Sequence, residues 1–239
     1  MATFIKPVEC LPIEFDKFLD ELDEMGSKLF SDENLERTVE LLQRLQANRH
    51  FLTAYIRKYI LDLELQASNP YTGQILILAE REHFIVRAPI WVPMNEMTDA
   101  RMFAYDFPHD HDFDLLTIGY VGSGYSTDIY EYDCRNVSGS DGEVVELGLR
   151  ETYQLSEGSS LLMRANKDIH TQRPPDELSV SLNILKSSGR TNKQFSFDIE
   201  NGSIVKPVSL SIFDAVTYTA GLIGNENIKS EVKKFLEVN

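Results

Sequence analysis

The sequence has few cysteines and no long apolar run. Its 239 residues include two cysteines, Cys10 and Cys134, which are too few for a disulfide framework and fit a reduced cytosolic setting. It contains no uncharged apolar stretch of about 18 residues or more, so no transmembrane helix is predicted. Residues 1–12 lack both a basic leader and an apolar segment, which argues against a secretory signal. We therefore predict a cytoplasmic protein.

Positive charge is also scarce. The chain has 23 lysines and arginines against 38 acidic residues, and its formal net charge is −15. Nucleic acids and anionic membranes are polyanions that such a chain would repel, so the charge argues against both as main partners. The hydrophobic content of 42% and the aromatic content of 10% are typical of a globular protein with a sizeable core.

Several common catalytic motifs are missing as well. The sequence has no P-loop, no GxGxxG after a strand, no HExxH and no CxxC pair. The segment from Gly119 to Gly124 places a serine between glycines, but it does not have the GxSxG form of a nucleophile elbow. The motifs give no support to nucleotide-binding, zinc-protease or serine-hydrolase chemistry.

Hydrophobic spacing divides the chain into three zones. In residues 1–69, apolar residues such as Leu19, Leu22 and Leu29 keep a helical spacing, which predicts two or three helices packed on the rest of the protein. Residues 70–206 consist of short apolar or alternating runs separated by glycine- and serine-rich turns. Helical spacing returns in residues 207–239, where C-terminal helices are predicted.

The middle zone predicts about eight strands with no helix between them, which indicates an antiparallel sandwich or barrel. Phe195, Phe197 and Ile199 alternate with polar residues and could add an outer strand. The predicted strands are Ile75–Leu78, Phe84–Trp91, Leu115–Val121, Ser126–Tyr132, Val144–Leu149, Thr152–Leu155, Ser160–Met163 and Ser179–Leu185. The fold class is therefore mainly β with flanking helices.

Three of the five histidines are spaced as metal ligands would be. His109 and His111 are predicted to open a strand, where residues two apart share one face with Cα atoms about 6.5–7 Å apart. Their imidazole nitrogens could converge on one ion at about 2.0–2.2 Å. His170, which follows a strand and a polar turn, is the expected third ligand. Three histidines leave coordination positions open for water, dioxygen or substrate.

Two segments resemble the motifs of the cupin superfamily. Residues 108–122, PHDHDFDLLTIGYVG, resemble the first motif, with an HxH pair, an acidic residue and a glycine that ends the strand. Residues 158–170 resemble the second, in which a glycine opens a strand and a histidine closes the following turn. The resemblance covers about residues 75–185. It implies a double-stranded β-helix barrel with the metal inside, and it favours Fe(II) for an oxygenase.

The sequence departs from the cupin pattern at the fourth ligand. Leu115 stands where cupins usually have a glutamate, and strict alternation puts the adjacent Asp114 on the opposite face from His109 and His111. Only a β-bulge would turn Asp114 inward, so its role as a fourth ligand stays open. The resemblance then favours a three-histidine site like that of thiol dioxygenases. Manganese, nickel, copper and zinc remain alternatives to iron.

Together these features predict a mononuclear non-haem Fe(II) oxygenase that uses dioxygen and a small polar or amino-acid-like substrate. Tyr125 and Arg164 are predicted substrate contacts, because a hydroxyl can orient a ligand and a guanidinium can pair with a carboxylate. Arg87 and Arg101 are weaker candidates. Two other functions stay open: a non-catalytic ligand-binding or regulatory barrel, and a Zn²⁺- or Mn²⁺-dependent isomerase or lyase. A homodimer paired through outer strands is a further open point.

Overall fold

A computed structural model describes residues 2–62, 74–94, 104–187 and 194–207. It contains the helices α1 (Phe15–Met25), α2 (Leu35–Ala47) and α3 (Phe51–Leu61). The strands are β1 (Thr3–Ile5), β2 (Ile75–Glu80), β3 (Phe84–Trp91), β4 (Leu115–Val121), β5 (Ser126–Glu131), β6 (Glu151–Gln154), β7 (Ser160–Met163), β8 (Asp168–Arg173), β9 (Ser179–Lys186), β10 (Phe195–Asp198) and β11 (Ser203–Pro207). The C-terminal helices predicted beyond residue 207 lie outside the described residues.

The three helices form where the sequence predicted two or three. In α1, Phe18, Leu19 and Leu22 are buried because their spacing places them on one side of the helix. Gly26 ends α1 with a φ of 54°, and its N–H bonds to the carbonyls of the preceding turn. The helices and one face of a large sheet share a single hydrophobic cluster, in which Leu42 is fully buried.

The large sheet has six antiparallel strands in the order β1-β7-β4-β9-β3-β2. Its side chains alternate between two faces. Leu116, Ile118 and Ile184 point to the helices, whereas Leu115 and Leu185 point to a second cluster on the opposite side. This second face looks toward the smaller sheets and carries part of the candidate site. The three-residue strand β1 at its edge has no counterpart in the sequence-based prediction.

The other strands form a three-stranded sheet, β6-β5-β8, and a two-stranded sheet, β10-β11. His109 links the two, because it forms antiparallel bridges to His170 in β8 and to Ser196 in β10. The mainly β fold with helices in the N-terminal region is therefore confirmed. The described strands make separate antiparallel sheets rather than the closed barrel that the cupin resemblance implied.

Two further differences from the predicted strands are informative. Val144 and Leu149, the ends of one predicted strand, are 78% and 91% exposed, and only Val144 makes an isolated bridge. The alternation there reflects two side chains, Val145 and Leu147, that pack on a small hydrophobic cluster. Conversely, β8 is a strand where the sequence suggested a turn.

No helix among the described residues is long and apolar enough to cross a membrane.

Candidate metal centre

The backbone pairs His109 directly with His170. The His109 N–H donates to the His170 carbonyl at 3.1 Å, and the His170 N–H donates to the His109 carbonyl at 2.9 Å. Residues that exchange both bonds across an antiparallel pair lie about 5.5 Å apart at Cα, with side chains on one face. The structure thus corrects two local predictions. The HxH pair precedes β4, which begins at Leu115, instead of opening it, and His170 lies inside β8 instead of closing a turn.

The three imidazoles converge. The ring centroids are 4.4 Å apart for His109 and His170, 4.7 Å for His111 and His170, and 5.0 Å for His109 and His111. One nitrogen from each ring lies within 4.8 Å of the others. Nitrogens that each bind one ion at about 2.1 Å are separated by about 3.0–3.4 Å in octahedral or tetrahedral geometry. Small side-chain rotations would bring all three into that range.

The outer hydrogen bonds leave the inner nitrogens available. His109 Nδ1 lies 2.8 Å from the Phe107 carbonyl oxygen, which can only accept, so Nδ1 carries the proton. His111 Nδ1 lies 3.2 Å from Gln194 Oε1. His170 Nδ1 lies 2.8 Å from Met163 Sδ. The proton on His109 Nδ1 leaves its Nε2 with a free lone pair, which is the usual arrangement of a metal-binding histidine. His170 Nδ1 also lies 3.3 Å from Gln172 Nε2, an amide donor, and His170 Nε2 lies 3.1 Å from His109 Nε2. Without a metal, His170 can therefore carry its proton on Nε2 and donate it to His109.

Gln194 is itself held in place by a carboxylate. Its Nε2 donates to Asp112 Oδ1 at 3.0 Å, which turns its amide oxygen toward His111. The side chain of Asp112 is buried. The chain from Asp112 through Gln194 to His111 is therefore of the kind that fixes the tautomer and orientation of a metal ligand.

Burial keeps His109 and His170 neutral. It lowers the pKa of His109 to about 4, and the charge of Arg87 lowers it further against the effect of the Phe107 carbonyl. Burial also lowers the pKa of His170 well below its ordinary value, with added contributions from His109, His111 and Arg87. A neutral imidazole is the form that binds a metal, so neither of these two rings has to lose a positive charge near pH 7.

The carboxylates close to the histidines in sequence form hydrogen bonds and ion pairs with other groups. Asp110 is fully buried and accepts hydrogen bonds from the Tyr132 hydroxyl at 2.5 Å and from the Phe195 N–H at 2.6 Å. Asp114 accepts from the Ala165 N–H at 3.0 Å, with Lys186 Nζ 3.7 Å away. Among the described residues, the potential ligand cluster comprises the three histidines alone, and Asp114 is not part of it.

The two predicted substrate contacts lie in different surroundings. Tyr125 is buried between the sheets against Trp91, with ring centroids 4.4 Å apart. Burial raises the pKa of Tyr125 to about 12. Arg164 instead pairs with the buried Asp168 at 2.6 Å and with Glu131 at 3.3 Å. Their roles as substrate contacts stay predictions. Arg101 lies outside the described residues.

Sequence analysis missed the residues that support the histidines. Gln194 is 83 positions from His111, so no local spacing connects the two. Met163 was recognised as the end of a strand but not as a neighbour of His170. Arg87 was a weak candidate, yet it is buried and its charge acts on both His109 and His170. The one sequence signal that its side chain points inward is its position among apolar residues in a predicted strand.

Comparisons with known proteins do not identify the chain. It matches no protein-family model and no curated protein. Solved structures that resemble it include DMSP lyases, at 13% identity and a TM-score of 0.31, with 50% of each chain covered. A protein of unknown function from Streptococcus pyogenes has 14% identity and a TM-score of 0.29, and the match covers 52% of this chain and 85% of that one. A protein from Neisseria meningitidis has 13% identity and a TM-score of 0.28, and the match covers 53% of this chain and 99% of that one. The function has to be argued from the site itself.

Proposed function

We propose that this protein is a mononuclear non-haem Fe(II)-dependent oxygenase in which His109, His111 and His170 hold the metal. The substrate would be a small polar or amino-acid-like molecule that reacts with dioxygen. The observation that carries the proposal is the convergence of three imidazoles, one nitrogen of each lying within 4.8 Å of the others. Such a donor set fits one divalent ion and leaves coordination positions open.

Fe(II), when bound, would let dioxygen take its electrons from the substrate, which is oxidised, and would polarise a coordinated substrate. The chain's own residues would admit and orient the substrate. His111 is partly exposed, so the cluster is accessible from its side. Tyr125 would orient the substrate, since a phenol with a pKa of about 12 stays protonated near neutral pH and can donate a hydrogen bond.

The test is metal content by elemental analysis of protein purified without a histidine tag. Near-stoichiometric iron is expected in the wild type after anaerobic reconstitution with Fe(II), and none in His170→Ala. The matched control is His50→Ala, because His50 is exposed and makes no capping hydrogen bond at the start of α3. Equal metal in His170→Ala and wild type, or none in either, would refute the three-histidine site.

A second candidate, a Zn²⁺- or Mn²⁺-dependent lyase or isomerase, is favoured by the same donor set. Three histidines without a carboxylate also suit zinc that acts as a Lewis acid. Dioxygen uptake by the Fe(II)-loaded protein, measured across a library of small polar substrates, separates the two. Substrate-dependent uptake supports the oxygenase, whereas turnover of a substrate by the Zn²⁺ form without uptake supports the lyase or isomerase. Ligand binding without any turnover would indicate a non-catalytic binding module.

A further inference from the structure

A row of hydrogen-bonding groups runs through the histidine pair. Gln172 Nε2 lies 3.3 Å from His170 Nδ1. His170 Nε2 lies 3.1 Å from His109 Nε2, and His109 Nδ1 lies 2.8 Å from the Phe107 carbonyl oxygen. An amide nitrogen can only donate and a carbonyl oxygen can only accept, so the two ends of the row fix the protons between them. His109 carries its proton on Nδ1, and His170 carries its proton on Nε2 and donates it to His109.

This arrangement of protons and a bound metal exclude each other at His170. An ion binds an imidazole through a nitrogen lone pair, so a metal held by Nε2 requires the His170 proton on Nδ1. There the N–H would face the Gln172 Nε2, which is itself a donor. The sulfur of Met163, 2.8 Å from His170 Nδ1, is only a weak acceptor. A strong acceptor oxygen at this position would therefore favour the metal-bound form.

The Gln172 side chain carries such an oxygen at the other side of its amide. A half-turn about the last side-chain bond exchanges the amide nitrogen, a donor, with the amide oxygen, an acceptor. Gln172 is buried in β8 two residues beyond His170, so the two side chains lie on the same face of the strand. A turned amide would present Oε1 to His170 Nδ1 without any movement of the backbone.

A buried hydroxyl can serve the far side of the amide in both orientations. Thr127 in β5 lies opposite Gln172, and side chains paired in this way are about 4.5–5.5 Å apart at Cβ. Thr127 is fully buried, and its Oγ1 has no hydrogen-bond partner among the described residues. Because a hydroxyl both donates and accepts, it can donate to Gln172 Oε1 in one orientation and accept from Nε2 in the other. The amide can thus turn and keep a partner on each side.

We propose that Gln172 is a positioning residue of the metal centre, whose side-chain amide donates to His170 Nδ1 in the metal-free protein and turns over to accept from it when a metal binds. This inference rests on the proposed function, because it concerns the same three-histidine site. The two orientations are unequal. The N–H of a metal-bound imidazole is more strongly polarised, so its bond to the amide oxygen is the stronger one, and Gln172 favours the metal-bound form.

The first measurement is the position of the His170 proton, read from the nitrogen NMR shifts of ¹⁵N-histidine-labelled protein and assigned with His170→Ala. The proton is expected on Nε2 in the metal-free wild type and on Nδ1 in the Zn²⁺-loaded wild type. An ionised Gln172→Glu side chain can only accept, so it should move the proton to Nδ1 before any metal is added. The control Gln154→Leu, in the exposed part of β6, should leave the metal-free tautomer unchanged. A proton on Nδ1 in the metal-free wild type, or on Nε2 in metal-free Gln172→Glu, would overturn the proposal.

The Kd for Zn²⁺, measured by chelator competition on the same proteins, tests the second orientation. Gln172→Leu should bind Zn²⁺ about tenfold more weakly than wild type, because the Nδ1–H loses its acceptor. Gln172→Glu should bind it about 10–100-fold more tightly than Gln172→Leu. Equal Kd values in wild type and Gln172→Leu would refute the role of Gln172 alone, and they decide the matter if Gln172→Glu does not fold by circular dichroism. No Zn²⁺ binding by the wild type would overturn the three-histidine site and the turn of the amide together.

Discussion

The Nε2 atoms of His109 and His170 lie 3.1 Å apart, and the outer hydrogen bond of His109 leaves its Nε2 without a proton. Gln172 Nε2 can donate to His170 Nδ1 at 3.3 Å, which places the His170 proton on Nε2, where it points at the His109 lone pair. A metal ion bound to both rings would take the place of this proton. The reciprocal backbone bonds between the two residues keep the rings in place without any ion. The sheet thus preorganises a pair of donors for a metal.

A metal ion that binds this site should stabilise the fold. At a free concentration about a hundredfold above Kd, linkage predicts about 2.7 kcal/mol of added stability and a higher Tm. Thermal unfolding with and without added Zn²⁺, which avoids iron oxidation, measures the effect, and EDTA should reverse it. His109→Ala should abolish the rise while His50→Ala keeps it. An equal rise in His109→Ala would mean that the ion binds elsewhere.

Gln194 should control metal affinity without binding the metal. Gln194→Leu removes the acceptor from His111 Nδ1 and should weaken metal binding about 10–100-fold, as losses of such outer partners do. Gln194→Glu restores an acceptor oxygen and should recover most of the affinity. Competition with a chromogenic chelator measures both Kd values. Unaltered affinity in Gln194→Leu would show that the hydrogen bond does not orient His111.

Strands that pack on the helices were predictable from the sequence, whereas strands that carry the site were less so. The bounds of β3, β4 and β7 agree with prediction because each is a largely apolar run. β8 was missed because its residues, Asp168 to Arg173, are mostly polar. That polarity has a physical reason: the strand contributes His170 and Gln172 to the buried site. Local patterns are least reliable where function dictates the residues.

The residues of the candidate site also differ in how far the sequence could predict them. The HxH spacing and the position of His170 sufficed to predict the three histidines that the structure brings together. Among the residues that the structure describes, the potential ligand cluster consists of these three histidines. Gln194 could not be assigned, because its proximity to His111 depends on the packing of a segment 83 positions along the chain.

Arg164 should act on stability rather than on ligand binding. Its guanidinium and its backbone N–H all donate to the buried carboxylate of Asp168, at 2.6–2.9 Å. Arg164→Met would leave that carboxylate with fewer partners and should lower the free energy of unfolding by about 1–3 kcal/mol. Urea unfolding measures this. Lost substrate turnover at unchanged stability would instead support the substrate contact that the sequence predicted.

Asp128 should make the stability of the protein depend on pH. Its nearly buried carboxylate accepts hydrogen bonds from Thr152 at 2.6 Å, from Arg150 at 2.8 Å and from Arg173 at 2.5 Å. Burial raises the pKa of Asp128, but the hydrogen bonds from Thr152, Arg173 and Arg150 outweigh it and hold the pKa below its ordinary value. The charged form therefore stabilises the folded state.

Because the folded-state pKa is depressed, this stabilisation is fully present above the unfolded pKa of about 3.9 and is lost as the pH falls through the folded value. Asp128→Asn should lower the free energy of unfolding by about 1–3 kcal/mol at pH 7. The difference from wild type should shrink below about pH 4. Urea unfolding at several pH values measures it, with Asp141→Asn in an exposed turn as the control. A difference that stays constant from pH 7 to pH 3 would show that hydrogen bonding, not charge, makes Asp128 stabilising.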